Sequence, residues 1–212
     1  LTTESEDMSE VSFSHAMISV GTKPHRPANI PFDHENVFDS DEILDIKTLP
    51  RTLTVMGGGV IGVEYATIFS ALDVPVTLIE KRENILEFVD RELVDDFIHQ
   101  MRDRGMTVRL GCGVKEVVIK PHGVETHLTD GRMVKTEMLR YAAGRSGNVS
   151  SLGLESVGIE TDSRGRIKVD ATTFQTNVPH IYACGDVIGF PSLASTSMEQ
   201  GRVAACHAFG IT

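Results

Sequence analysis

Apolar positions in this chain run in short stretches that change period at glycines. Residues 52–56 are apolar or β-branched and enter Gly57-Gly58-Gly59-Val60-Ile61-Gly62, after which apolar positions recur at helical spacing. The pattern predicts a strand at 52–56, a helix at 60–72 and a second strand at 75–80, a compact βαβ unit. A helix at 90–104 follows, with Leu93, Val94, Phe97, Ile98 and Met101 on one face, Asp90 in its N-cap region and Gly105 as its stop. A strand is expected at 106–110. Period-two stretches at 114–120, 123–128 and 132–136, the last two joined at Asp130-Gly131, read as antiparallel strands. Further short strands are expected at 14–20, 139–143 and 180–183, a capped short helix at 39–44, a hairpin around Ser163-Arg164-Gly165, and a closing helix at about 192–208. The expected fold class is α/β: a Rossmann-like parallel sheet interrupted by an antiparallel β-meander insertion.

The glycine run carries the first chemistry. In a Gly-x-Gly-x-x-Gly loop between strand and helix, Gly57 permits the tight turn and Gly59 lets the backbone approach a pyrophosphate. Gly62 lets helix and strand pack closely. The pyrophosphate then meets the free N–H groups and positive dipole end of a helix that starts near Val60 and Ile61. Glu80 ends the next strand, about 20 residues beyond Gly59, where an acid that binds ribose hydroxyls belongs. The plain alternative is a glycine turn in an unrelated α/β protein.

Net charge is −10 over 212 residues, with no basic tract, which argues against nucleic-acid or anionic-membrane partners. No apolar run approaches the roughly 18 residues of a membrane helix, and the acidic start, Leu1 to Asp7, lacks the apolar core of a signal peptide. The first residue is not Met, so the chain is expected to be part of a longer one. Cys112, Cys184 and Cys206 form no C-x-x-C, which fits buried thiols in a reducing, cytoplasmic setting. Cys206 and His207 are adjacent on a predicted helix and point apart, and no metal is expected.

Taken in order, Val20-Gly21-Thr22-Lys23-Pro24, the glycine loop, Ala143-Gly144-Arg145 and Cys184-Gly185-Asp186 resemble the pyridine nucleotide-disulfide oxidoreductases, over about residues 11–210. These flavoproteins carry FAD and NAD(P) on two related domains, the second inserted into the first. The resemblance implies that residues 1–48 are the end of a partial FAD-binding domain and linker. Residues 49–146 would be an NAD(P)-binding Rossmann-like domain, and 147–212 the return to the FAD domain, so that partial FAD-domain strands flank the sheet. Phe38 to Leu44, Gly144 to Asn148 and Gly185 to Ser195 look most like the branch that passes hydride from NADPH to NAD+ through FAD.

For NAD(P), the resemblance implies contacts from Gly57, Gly58, Gly59, Val60, Ile61, Gly62, Glu80, Val114 and Gly144, with Glu64 near nicotinamide and flavin. Lys81 and Arg82 are able to meet a 2′-phosphate where Glu80 favours a free 2′-hydroxyl. For FAD it implies Gly21, Asp186 on the ribityl chain, and Ser192, Leu193, Ala194 and Ser195 placing a helix N-terminus by the flavin. Bland readings stand beside these: Glu64 as a solvated helix residue, Val114 as strand core, Asp186 as a turn residue, and Lys81 and Arg82 as a solvated basic pair. Arg145 reads as structural rather than catalytic. The family usually has Thr where Val20 stands, so one polar flavin contact is in doubt. The family's FAD fingerprint and redox cysteine pair would precede this region and its dimer-interface domain would follow. The chain is therefore expected to bind dinucleotides, to be inactive alone without FAD, and to belong to a homodimeric or larger parent. A disulfide reductase parent and a non-catalytic dinucleotide-binding module remain the alternatives.

Overall fold

A computed structural model describes residues 10–33 and 35–211, so the acidic start at 1–7 lies outside the described residues. In chain order the elements are β1 (Ala16–Ile18), β2 (Thr22–Pro24), β3 (Val37–Phe38), a 3-10 turn (Glu42–Asp45), β4 (Leu53–Met56), α1 (Val60–Ala71), β5 (Val76–Ile79) and α2 (Arg91–Asp103). They continue as β6 (Thr107–Arg109), β7 (Val114–Lys120), β8 (Gly123–Leu128), β9 (Met133–Thr136), β10 (Met138–Tyr141), β11 (Arg145–Gly147), 3-10 turns at Leu154–Val157 and Gly185–Ile188, β12 (Ile181–Ala183) and α3 (Ala194–Phe209). Two compact units result, one of residues 24–145 and one of residues 1–23 with 146–212.

The unit of residues 24–145 is built on a five-stranded sheet of order β3-β10-β4-β5-β6, parallel throughout. Its strands alternate between two faces. Leu53 and Val55 of β4 and Leu78 of β5 meet Val63, Ala66 and Phe69 of α1 and Val94, Ile98 and Met101 of α2 on one face. On the other face, Val37, Leu139 and Tyr141 pack with Val117 and Val124 of the antiparallel β7-β8-β9 meander. Thr54 and Thr136 join the two layers by a 2.9 Å hydroxyl contact. The α/β class with a meander thus stands. β3 is the edge strand of this sheet, and the stretch from Pro24 onward falls in the same compact unit as the sheet. Strand pairing, absent from any local pattern, decides this.

Helix α2 is capped as its sequence predicts, Asp90 accepting from the Glu92 N–H at 2.9 Å, and Gly105 ends it at φ +84°. The 39–44 helix is a single 3-10 turn, with Asp39 accepting from the N–H groups of Asp41 and Glu42.

In the other unit β1 pairs in parallel with β12, whose Tyr182 also makes an antiparallel bridge to Gln175. The 14–20 strand shortens to three residues, and the hairpin around Gly165 is reduced to one bridge, Thr161 to Ile167. Leu154, Ile159, Ile167, Ile181, Ala183 and Val187 make its core. Helix α3 begins at Ala194, two residues later than its pattern predicts. Buried Gln200 ties it to the preceding turn by accepting from the Gly185 N–H at 2.8 Å. Among the described residues no helix is long and apolar enough to cross a membrane.

Candidate functional site

Because β4, β5, β6 and β10 are parallel, the segments after them leave the sheet at one edge. The chain steps outward from β4 to β5 to β6 and later returns on the opposite side of β4, as β10. Strand order therefore reverses beside β4, the position at which open α/β sheets leave a crevice for ligands.

The glycines line that reversal. Gly57 has φ +119°, and a Cβ there would sit 2.7 Å from the Ala142 carbonyl oxygen, so both its conformation and its packing require glycine. A Cβ on Gly62 would fall 1.9 Å from the Gly57 carbonyl oxygen, so α1 lies too close to the loop for any side chain. Gly58 is packed against Ile85 and Glu80. Gly59 differs: a Cβ added to it meets nothing within 4 Å. It is the N-cap of α1, and no side chain caps the helix. The first N–H groups of α1, which by helix geometry have no intrahelical partner, thus begin at Val60 and Ile61 beside open space.

Glu80 lies 6% exposed at the end of β5. Its Oε2 accepts from the Gly58 N–H at 2.5 Å and from Arg82 Nη2 at 3.0 Å, and its Oε1 from the Arg82 N–H at 2.9 Å and Nε at 3.0 Å. Burial pushes the Glu80 pKa up, but the hydrogen bonds from Arg82 and Gly58 and the charge of Arg82 outweigh it and leave the carboxyl below its usual range. Arg82 is held above its ordinary value, first by the hydrogen bond to Glu80. Its Nη1 donates to Glu87 at 2.9 Å. The basic pair is therefore not simply solvated: Arg82 is forked onto Glu80, while Lys81 is exposed.

The remaining expected residues divide between the units. Val114 is half-buried at the start of β7, packed against the cluster of Ile79, Cys112, Leu128 and Val134. Gly144 is exposed at φ +112°. Its carbonyl accepts from the His25 N–H at 3.1 Å. Glu64 is exposed on α1. Gly21, Asp186 and Ser192 to Ser195 belong to the other unit. There Gly21 has φ +66° and its carbonyl accepts from the Asn148 N–H, and Asp186 sits half-buried on a 3-10 turn. Ser192 and Leu193 precede α3 rather than open it, and Leu193, Ala194 and Ser195 are exposed where the helix starts without a side-chain cap.

Arg140 escaped the sequence reading. It is fully buried in β10, on the helix-covered face, its guanidinium 3.6 Å from the centre of the Tyr65 ring. Nη1 donates to the Ile61 carbonyl at 3.3 Å, while Nε and Nη2 have no partner. Burial pulls its pKa down to about 10, against smaller upward pulls from Tyr65, Asp39 and Glu64, so it stays charged at neutral pH. The available signal was a charged residue between Leu139 and Tyr141 in an apolar strand.

Fold and glycine loop together define an α/β protein with a Rossmann-like parallel sheet, and the comparisons place it in a family. The chain belongs to the pyridine nucleotide-disulphide oxidoreductase family, whose profile matches residues 1–201. It is 50% identical over 200 residues to the soluble pyridine nucleotide transhydrogenase of Mycobacterium bovis, covering 94% of this chain and 42% of that protein. The transhydrogenase of Yersinia enterocolitica is 46% identical over 189 residues, 89% of this chain and 40% of that protein. The chain thus spans about two-fifths of the length of the curated relatives it matches. Among solved structures, LpdA from Mycobacterium tuberculosis superposes with a TM-score of 0.85 at 31% identity, covering 92% of this chain and 42% of that one. The Escherichia coli flavoprotein disulfide reductase RclA superposes with a TM-score of 0.81 at 29% identity, over 92% of this chain and 45% of that one.

Proposed function

We propose that residues 24–145 bind a pyridine dinucleotide, and that the chain is the NAD(P)-binding part of a cytoplasmic flavoprotein that passes hydride from NADPH to NAD+. The observation that carries this reading is the contrast among the glycines: Gly57 and Gly62 are walled in, while Gly59 opens onto free space at an uncapped helix start. That is the shape a diphosphate requires. In this reading the N–H groups from Gly59 to Ile61 hold the pyrophosphate, Glu80 orients the adenosine ribose, and Val114 packs on the adenine side. Gly144 leaves room for the nicotinamide half, and Glu64 stands near its ring.

Asp186, with Gly21 and Ser192 to Ser195, would hold part of an FAD. A bound flavin would supply two-electron relay between nicotinamides, and the protein's own part is orientation and electrostatics. Since among the described residues β1 and β12 form a sheet of just two strands, the chain alone is expected to lose FAD and turn over nothing. Purified chain that stays yellow with stoichiometric flavin would contradict this. The relatives' names support the transhydrogenase assignment. The likeness to RclA supports a second reading, a disulfide reductase, which needs a C-x-x-x-x-C upstream in the parent. A parent with the FAD fingerprint and an intact cysteine pair would favour that reading.

The direct test is Gly59→Val. At φ −77° and ψ 179° the backbone accepts a side chain, and the space around it is empty, so folding is kept. Binding of NADH and NADPH, titrated by nicotinamide fluorescence, should weaken by roughly ten-fold or more because the side chain blocks the diphosphate. Unchanged binding in a folded variant would refute the site.

A further inference from the structure

We propose that Glu87 is a specificity-determining residue of this site, biasing it toward nucleotides with a free 2′-hydroxyl by holding Arg82. The inference rests on the dinucleotide reading above and concerns which dinucleotide is preferred.

The loop after β5 is built to present Glu87. Ile85 is fully buried in the main core, and the Leu86 N–H donates to the Gly58 carbonyl at 3.0 Å, folding the loop back onto the glycine turn. Leu86 has φ +46°, a left-handed conformation that an ordinary side chain adopts only when its surroundings impose it. The Val89 N–H closes the turn onto the Leu86 carbonyl at 2.8 Å. Glu87, exposed between these anchors, meets Arg82 Nη1.

Arg82 is consequently gripped at both ends of its planar fork. Nε and Nη2 point at Glu80 and Nη1 at Glu87. With the Gly58 and Arg82 N–H groups added, both Glu80 oxygens already accept two hydrogen bonds each. A ribose hydroxyl therefore needs Arg82 to withdraw, and Glu87 is the partner onto which it withdraws without losing its ion pair. A 2′-phosphate instead needs Arg82 for itself. Glu87 then competes for the same guanidinium. In both cases the carboxylate of Glu87 favours the hydroxyl.

The test titrates NADH and NADPH against the full chain in wild type, Glu87→Gln and Glu83→Gln, and repeats Glu87→Gln in an Arg82→Met background. Glu83 lies in the same loop and contributes the same charge without bonding Arg82. Glu87→Gln should raise the NADPH-to-NADH affinity ratio by roughly two- to five-fold. Glu83→Gln should leave the ratio in place, and the Glu87 effect should vanish once Arg82 is Met. An equal shift from Glu83→Gln, or a Glu87 effect that persists without Arg82, would overturn the proposal while leaving the dinucleotide site intact. A folded wild-type chain that binds neither nucleotide would overturn both.

Discussion

Glu80 and Arg140 are both buried charged side chains of the five-stranded sheet, on strands that flank β4 on either side, 6% and 0% exposed. Glu80 has an acceptor bond at every usable position, including one from the backbone of the glycine loop. Arg140 has one long hydrogen bond, an aromatic face and two unpartnered nitrogens. A satisfied buried charge fixes geometry, here the position of the Gly58 peptide and thus of the loop. An unsatisfied one costs stability, because the desolvation of the guanidinium is not repaid in full. The same sheet therefore contains a charge met in full and a charge met in part.

The most severe way to break the contrast is Glu80→Ala. It strands the buried Gly58 N–H and releases Arg82, and chemical unfolding at neutral pH should show a loss of about 3 kcal/mol. Arg140→Met should act in the opposite direction. It keeps much of the volume and removes the unpaired charge, and a gain of about 1–3 kcal/mol is expected in the same measurement. A loss instead would mean that Arg140 is better satisfied than its contacts indicate.

A smaller effect separates the two by pH. Glu80 has a folded pKa below its unfolded value, so its contribution is present above the unfolded value of about 4.3 and disappears as pH falls through the folded value. Wild type should lose stability across that acid range more steeply than Glu80→Gln, while Arg140→Met should run parallel to wild type there. Stability against pH from 7 to 3 for the three proteins checks this. The smallest effect is Tyr65→Leu, expected to cost about 1 kcal/mol through the lost cation–π contact and nothing beyond packing once Arg140 is Met. A double-mutant cycle measures the difference.

At the site itself, Arg82→Ala should weaken NADPH binding and spare NADH. Equal effects on both would remove Arg82 from selection.

Much of the glycine loop was legible from residue order. Gly57 and Gly62 are needed for reasons confined to one strand–turn–helix, a φ of +119° and a Cβ 1.9 Å from a neighbouring carbonyl, and such short-range constraints leave their mark on a handful of adjacent residues. The cap of α2 at Asp90 and the meander strands were legible for the same reason. Strand β3 was not, because Val37 and Phe38 become strand only by pairing with Leu139 and Arg140, about a hundred residues away.

What the sequence by itself determined is the type of fold, the glycine turn and the acid at the end of β5, all set by local backbone preference and by the period of apolar positions. Tertiary structure decided how fully each buried charge is met. Glu80 takes its bonds from Arg82, two residues on, and from the Gly58 N–H that the glycine turn brings to it. Arg140 is left short because β10 inserts beside β4, under the first turns of α1, where the Ile61 carbonyl and the Tyr65 ring are what it can reach. What Arg140 can meet depends on groups distant in sequence that folding brings within hydrogen-bond reach, and no local pattern encodes that distance.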